Sequence, residues 1–384
     1  MLGFAELRAA LSLPSSSDLE RFEAAFAKKM ESSYALEFPH GRTALILLLE
    51  ALGIRNKQII VPAYTCVVVP HAVVYSGNVP VFVDSQEPDF NMDLARAAGA
   101  VTSDTGAIVA TSIFGYPCDL DQLEQIRQGQ ARGIPVIQDC AHSFGARWKG
   151  RPVQKAGIAA FYGLNISKLI TSIFGGMITT DDEELYLRLK TLRAARLTPV
   201  SWRKSLARLG YILAVYPAFS APVYAMTNWL ERTGVLARFT KYYDESVIDM
   251  PADYLDAPAP VEARVGLANL ERYDSILRRR EEAADFYFRN LRLPSFRLPP
   301  RVDGATYSHF VVRVADRTKW LEAGLRRGVQ LGQLIEYNIP EMKAYGGRSP
   351  DEFPVSAELS RHTINLPVWG GLPIARAVTE RMAP

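Results

Sequence analysis

Between residues 58 and 180 the chain alternates short apolar runs with helical or loop segments. The runs are QIIVPAY, VPVFVD, AIVATSIF, IPVIQD, IAAFYGL and GMITT, and helix candidates lie at 66–76 and 119–132. Apolar runs this short, bounded by turn residues, read as strands buried on both faces. Strands that alternate with helices build a parallel sheet. The implied fold class is α/β, with a mostly parallel doubly wound sheet covered on both sides and a smaller α+β unit at the carboxyl end.

Two charged residues stand at the ends of these runs. Asp139 closes IPVIQD, and Lys168 follows IAAFYGL in a turn that leads through Gly175 and Gly176 into Met177–Thr180. Ligands of open α/β sheets bind outside the carboxyl ends of the strands, so an aspartate and a lysine from two such ends can meet there. From position alone the pair is either an ion pair at the sheet edge or a chemical pair in a crevice. Gly41, Arg42 and Thr43 open GRTALILLLEALG, where a helix begins. The free N–H groups of a first turn attract phosphate, and plain capping by Thr43 accounts for the same residues.

A chain of 384 residues suits two domains. We place a large domain at 1–250 and a smaller one at 251–384, the second entered through the proline-rich DYLDAPAP. Beyond that linker, residues 261–291 carry the spacing of one long amphipathic helix, YSHFVVRV alternates as a strand, and RTKWLEAGLRRG is a helix ended by glycine. At the other end, LGFAELRAAL and SSSDLERFEAAFAKKM form a structural arm in which Ser17 or Asp18 caps a helix.

The net charge of +3 is too mild and too evenly spread for a nucleic-acid partner. Five scattered histidines argue against a metal site. Cys66, Cys118 and Cys140 are an odd number without CxxC spacing, and no signal peptide opens the chain; the expectation is a reducing cytoplasm and no disulfide.

Residues 209–227 contain no charged side chain, with Arg203, Lys204 and Arg208 before them and Glu231 and Arg232 after. A run of this length is formally a membrane span, but Pro217 and Pro222 would break it, and one span would divide a single domain between two compartments. Two readings remain for 205–230. One is a buried helical hairpin that packs on a partner subunit or covers the site. The other is peripheral attachment to the inner face of a membrane, with the basic flank at anionic headgroups.

Eight short motifs stand in register: HGRTAL (40–45), IIVPAYT (59–65), PVFVD (80–84), FGYPCDLD (114–121), VIQDCAHSFGA (136–146), SK with GGM (167–177), ARVGLANLERYD (263–274), and FP with INLP (353–367). In them, residues 34–384 resemble the DegT/DnrJ/EryC1/StrS family, sugar aminotransferases that use pyridoxal 5'-phosphate on the aspartate aminotransferase fold. The resemblance implies a homodimer that moves an amino group from an amino acid, glutamate in this reading, to a keto sugar that is commonly nucleotide-linked. It assigns Lys168 to bond the cofactor and carry protons, Asp139 to pair with the ring nitrogen, and His142 to contact the ring hydroxyl. Gly41, Arg42 and Thr43 are assigned to the phosphate.

The chain also departs from the family pattern, and the resemblance marks about 200–245 as an insertion. Gly163 stands where relatives carry a phosphate-binding serine, Leu255 where an asparagine reaches the partner's phosphate, and Cys66 where an aromatic stacks on the ring. Arg42 is the expected replacement donor, since a guanidinium forks onto phosphate oxygens. Ser167 and Thr171 are further candidates, equally explained as turn residues. Members that dehydrate sugars carry histidine in place of the lysine, so Lys168 favours transamination. Two alternatives stay open: another pyridoxal-phosphate reaction on a lipid-linked or cyclitol substrate, and a non-catalytic sensor or assembly protein.

Overall fold

The computed structural model describes residues 2–219, 244 and 246–383. Its strands are β1 Tyr34–Phe38, β2 Gln58–Pro62, β3 Val79–Val83, β4 Thr105–Thr111, β5 Val136–Asp139, β6 Arg147–Trp148, β7 Arg151–Pro152, β8 Ala159–Gly163, β9 Gly176–Thr180, β10 Phe310–Arg313 and β11 Thr363–Leu366. The main sheet runs β1-β9-β8-β5-β4-β2-β3. Every pair from β8 to β3 is parallel, and β9 alone runs against its neighbours β1 and β8.

Helices α1 Phe4–Leu11, α2 Asp18–Lys29, α3 Gly41–Ala51, α4 Val68–Tyr75, α5 Leu94–Gly99, α6 Leu120–Gln128, α7 Glu183–Arg196 and α8 Trp202–Val215 precede the undescribed residues. After them come α9 Pro260–Glu271, α10 Tyr273–Asn290, α11 Arg317–Arg326, α12 Pro354–His362 and α13 Leu372–Met382.

Successive side chains of a strand point to opposite faces, and here both faces are covered. Ile60, Ile108, Val136, Ala160 and Met177 pack beneath Phe22 and Phe26 of α2, Leu123 and Ile126 of α6, and Ala263 and Leu270 of α9. Their neighbours Ile59, Val109, Ile137, Phe161 and Ile178 pack against Leu45 and Leu48 of α3, Val69 and Val73 of α4, and Leu185 and Leu189 of α7. This two-sided burial is why the strands are continuous apolar runs. A separate cluster, including Tyr287, Phe310, Val312, Leu331, Ile364 and Val378, meets Tyr64, Val67, Phe90 and Phe114 beyond the carboxyl ends of β2, β3 and β4.

The structure departs from the sequence reading at two helices and adds strand β1, which the sequence reading does not contain. The helix expected over 261–291 breaks at Arg272 into α9 and α10. The break follows packing: Arg272 pairs at 2.5 Å with Glu6, a fully buried carboxylate that also accepts from Asn269 at 2.8 Å. Strand β1 carries a buried glutamate, Glu37, within an otherwise apolar run. Ser17 precedes α2 without a side-chain cap, and Asp18 instead accepts the Ser15 N–H and pairs with Arg264 at 3.0 Å.

Residues 220–243 and 245, within the expected insertion and the apolar stretch, lie outside the described residues. Of the stretch 205–230, on which the hairpin and membrane readings rest, 205–219 is described and 220–230 is not. Among the described residues, no helix is long and apolar enough to cross a membrane.

Candidate active site

Asp139 ends β5 with Thr111 of β4 and Phe161 of β8 as its ladder neighbours. Its Oδ1 accepts the Ala141 N–H at 3.0 Å and its Oδ2 accepts the Thr111 hydroxyl at 3.2 Å. Burial pushes the carboxyl up from its ordinary value, against the opposing pull of the Ala141 N–H, the Lys168 charge and the Thr111 hydroxyl.

Lys168 is half-buried in the turn after β8, where its N–H donates to the Asn165 carbonyl at 3.0 Å. The turn is closed by its own polar side chains: Ser167 Oγ donates to Asn165 Oδ1 at 2.7 Å, and Thr171 Oγ1 to the Leu164 carbonyl at 3.1 Å. Both hydroxyl protons are thereby committed to the loop. Loss of surrounding water lowers the pKa of the Lys168 amine, while Cys66 and Asp139 pull it back up. A Cβ built on Gly163 would lie 3.6 Å from Lys168 Cε and 3.8 Å from Ala141 Cβ. Asp139, Lys168, Gly163 and Cys66 are thus brought together at the carboxyl ends of β5, β8 and β2.

His142 joins them from the loop after β5. Its ring stacks on Phe114, centroids 5.9 Å apart, and Nδ1 accepts the Phe114 N–H at 3.3 Å, so a neutral ring carries its proton on Nε2. Burial, then Lys168, then a second imidazole hold its pKa well below the ordinary value. That second ring is His309, immediately before β10, with its centroid 5.3 Å from His142. Burial brings His309 down to about 3, with Arg280 and Lys168 adding to the effect. Sequence reasoning missed His309. The available signal was a histidine directly preceding an alternating strand, in a chain with five histidines.

The first turn of α3 is pressed onto the same strand ends. A Cβ on Gly41 would lie 3.1 Å from the Tyr162 carbonyl oxygen and from Gly163 Cα, and one on Gly176 would lie 2.5 Å from the Gly41 nitrogen. Only glycines allow this approach, which brings the N–H groups that a helix start leaves without intrahelical acceptors beside Gly163.

The side chains of Arg42 and Thr43 turn elsewhere. Thr43 Oγ1 donates to the Tyr254 carbonyl at 2.7 Å and Arg42 Nη1 to the Asp249 carbonyl at 3.4 Å, so the segment 249–254 folds over the helix start. Leu255 accepts the Thr198 N–H through its carbonyl at 2.8 Å. His40 Nε2 meets Asp253 at 2.9 Å, and Asp253 also pairs with Arg208 of α8. An amine, a buried carboxylate with acceptor capacity left, and a helix start therefore face one small region. Such a set suits a flat ligand with a carbonyl group, a protonated ring nitrogen and an anionic tail.

The model of the DegT/DnrJ/EryC1/StrS aminotransferase family matches residues 9–212 and 259–380. The chain is 28% identical over 360 residues to GDP-perosamine synthase of Escherichia coli O157:H7, covering 92% of this chain and 85% of that protein. It is 27% identical over 359 residues to dTDP-3-amino-3,6-dideoxy-alpha-D-galactopyranose transaminase of Aneurinibacillus thermoaerophilus, covering 91% and 85%. Among solved structures, DesV of S. venezuelae in complex with a ketimine intermediate superposes with a TM-score of 0.77 at 24% identity, over 98% of this chain and 93% of that one.

Proposed function

The chain belongs to the DegT/DnrJ/EryC1/StrS aminotransferase family, and from that premise we propose that it moves an amino group from glutamate to a keto sugar carried on a nucleotide, in the synthesis of a polysaccharide or glycoconjugate. The nucleotide part of this reading is supported by relatives named for GDP- and dTDP-linked sugars. The observation that carries it is the convergence of Asp139, Lys168 and the start of α3 around Gly163.

The family's cofactor, pyridoxal 5'-phosphate, supplies when bound an aldehyde to take up the amino group and a ring that withdraws electrons from the neighbouring carbon. The residues present fit it. Lys168 Nζ has no hydrogen-bond or ion-pair partner among the described residues, and the lowered pKa favours the free amine. In this reading Lys168 would hold the cofactor through its aldehyde group, and its amine, once displaced by the amine of the donor, would take and return the proton at the donor carbon.

Asp139 would accept from the ring nitrogen, its ionised form supported by the Ala141 N–H and the Thr111 hydroxyl. His142 would offer its Nε2 proton to the ring oxygen, since Nδ1 accepts the Phe114 N–H. Backbone N–H groups at the start of α3 would hold the phosphate, and Arg42 would join them in place of the absent serine at 163 by exchanging its 3.4 Å contact with the Asp249 carbonyl for a phosphate oxygen. Thr43 contributes there through its N–H, because its hydroxyl proton lies on Tyr254. Cys66, which lies near Lys168, would border the ring where relatives place an aromatic.

The same proposal places the protein in the cytoplasm as a homodimer, supported on location by three unpaired cysteines. It keeps a large and a small domain: the apolar cluster from Ala283 onward supports the small one, while Ala263, Leu270 and Tyr273 pack with the main sheet, which draws α9, beyond the boundary expected at 250, into the large one.

The test is incubation of the holoenzyme with glutamate and with GDP- or dTDP-linked keto sugars. We expect the cofactor absorbance to change with glutamate alone, and an amino sugar to form when the acceptor is added. A spectral change without an amino sugar would remove the nucleotide-sugar acceptor, and no spectral change would remove glutamate as donor.

A further inference from the structure

Helix α8 has one face bound into the fold and one left bare. On the inner side, Lys204 Nζ donates to the carbonyls of Asp256 and Ala257 at 2.7 and 3.0 Å, Arg208 pairs with Glu262 at 3.0 Å, and Ile212 is fully buried. Trp202, Leu206 and Leu213 are 69%, 56% and 44% exposed. At about 100° per residue these three fall within one narrow arc on the outer side.

Helix α1 repeats the arrangement. Glu6 and Ala10 are buried, while Phe4 and Leu11 are 73% and 59% exposed and Leu13, just past the helix, is 91% exposed. Both helices lie on α9. Glu6 bonds Asn269, Arg264 donates to the Ala9 carbonyl at 3.0 Å, and Arg208 reaches Glu262. Leu2 and Ala10 share an apolar cluster with Ile212, Val261 and Val265, so α1 and α8 sit side by side with their bare faces turned away from α9.

The charge on this surface has one sign. The exposed charged side chains of the two helices are Arg8 and Arg203, and their one acid, Glu6, is buried. The Arg203 guanidinium lies over the Trp202 ring, 5.6 Å from its centroid. Beyond α8 the sequence stays free of charge through Thr227. An apolar stripe with tryptophan at its end and a basic rim suits the boundary between acyl chains and anionic headgroups. A second copy seated on this face is the competing occupant, and oligomer mass distinguishes it from a lipid surface.

We propose that the joint outer face of α1 and α8 docks on an anionic lipid surface, with both helices lying in its plane. The face is independent of the residues assigned to amino transfer. On its inner side, α8 is joined through Arg208 and Asp253 to His40 at the start of α3.

The experiment is cosedimentation of the full-length holoenzyme with phosphatidylcholine vesicles, with and without phosphatidylglycerol. The protein is expected to sediment with the anionic vesicles. Trp202→Glu/Leu206→Glu should lower that partitioning at least about tenfold, and so should Arg8→Glu/Arg203→Glu. Circular dichroism and glutamate-dependent absorbance measured without vesicles report folding and the amino-transfer reading separately. If the first variant fails to fold, Phe4→Ser/Leu11→Ser reads the same face from α1. Absent or lipid-independent sedimentation of the wild type would overturn the proposal. So would undiminished binding of the folded variants, or a change in oligomer mass in the Trp202 variant, which would assign the face to a second copy.

Discussion

Replacing Gly163 with serine adds a hydroxyl where the first turn of α3 meets the end of β8. The site has room: the new Cβ would find its nearest neighbours at 3.6 Å, Lys168 Cε, and 3.8 Å, Ala141 Cβ, both ordinary van der Waals distances. Gly163 does not adopt the left-handed conformation that only glycine takes easily. The fold should therefore tolerate the change within about 0.5 kcal/mol. A hydroxyl donating to a phosphate oxygen makes a charge-assisted hydrogen bond worth roughly 1.5–3 kcal/mol. That corresponds to a cofactor Kd about ten- to a hundredfold tighter. The assay is titration of the apoprotein with pyridoxal phosphate, followed by absorbance, with Gly163→Ala as the steric control. The alanine variant should bind like wild type and the serine variant more tightly. A serine variant that binds no better than the alanine variant would mean that the phosphate does not lie beside residue 163.

Arg42→Ala should weaken cofactor binding at least about tenfold through loss of a guanidinium–phosphate contact, and an unchanged Kd would place the phosphate out of its reach. Thr43→Val should do the reverse, lowering stability by about 1 kcal/mol through loss of the bond to the Tyr254 carbonyl while leaving the Kd nearly unchanged; weakened binding at unaltered stability would contradict this. Glu37 is fully buried with both carboxylate oxygens unpartnered, and burial raises its pKa well above 4.5, with Glu262 and Glu23 adding to the shift. Its raised folded pKa means that the associated stability is complete in acid and lost as pH rises through that value. Glu37→Gln should therefore gain on wild type in denaturant midpoint as pH is raised from about 5 to 8, and parallel profiles for the two proteins would show that Glu37 does not titrate in that range.

The strands that build the sheet were legible because a strand covered on both faces must be apolar throughout, as Val136–Ile137 and Ala159–Phe161 are. The positions of Asp139 and Lys168 followed from the same logic, since a charge that closes such a run must emerge at its end. Strand β1 was harder to see because Glu37 interrupts its apolar pattern. The break at Arg272 carries no proline or glycine signal; it depends on Glu6, 266 residues away in the chain. The same limit applies to His309, which reaches His142 only through the docking of β10, and to 249–254, which covers α3 across 211 residues of sequence at Thr43. Periodicity reports which face of an element is buried, and it is silent on which distant side chain buries it.

The identity of the amine that carries the cofactor is open to direct measurement. Borohydride reduction of the holoenzyme fixes the cofactor to that amine, and peptide mapping locates it. A single modified residue, Lys168, is expected in the peptide after Gly163. A modification on any other lysine, or none on the reduced and fully loaded protein, would contradict this expectation.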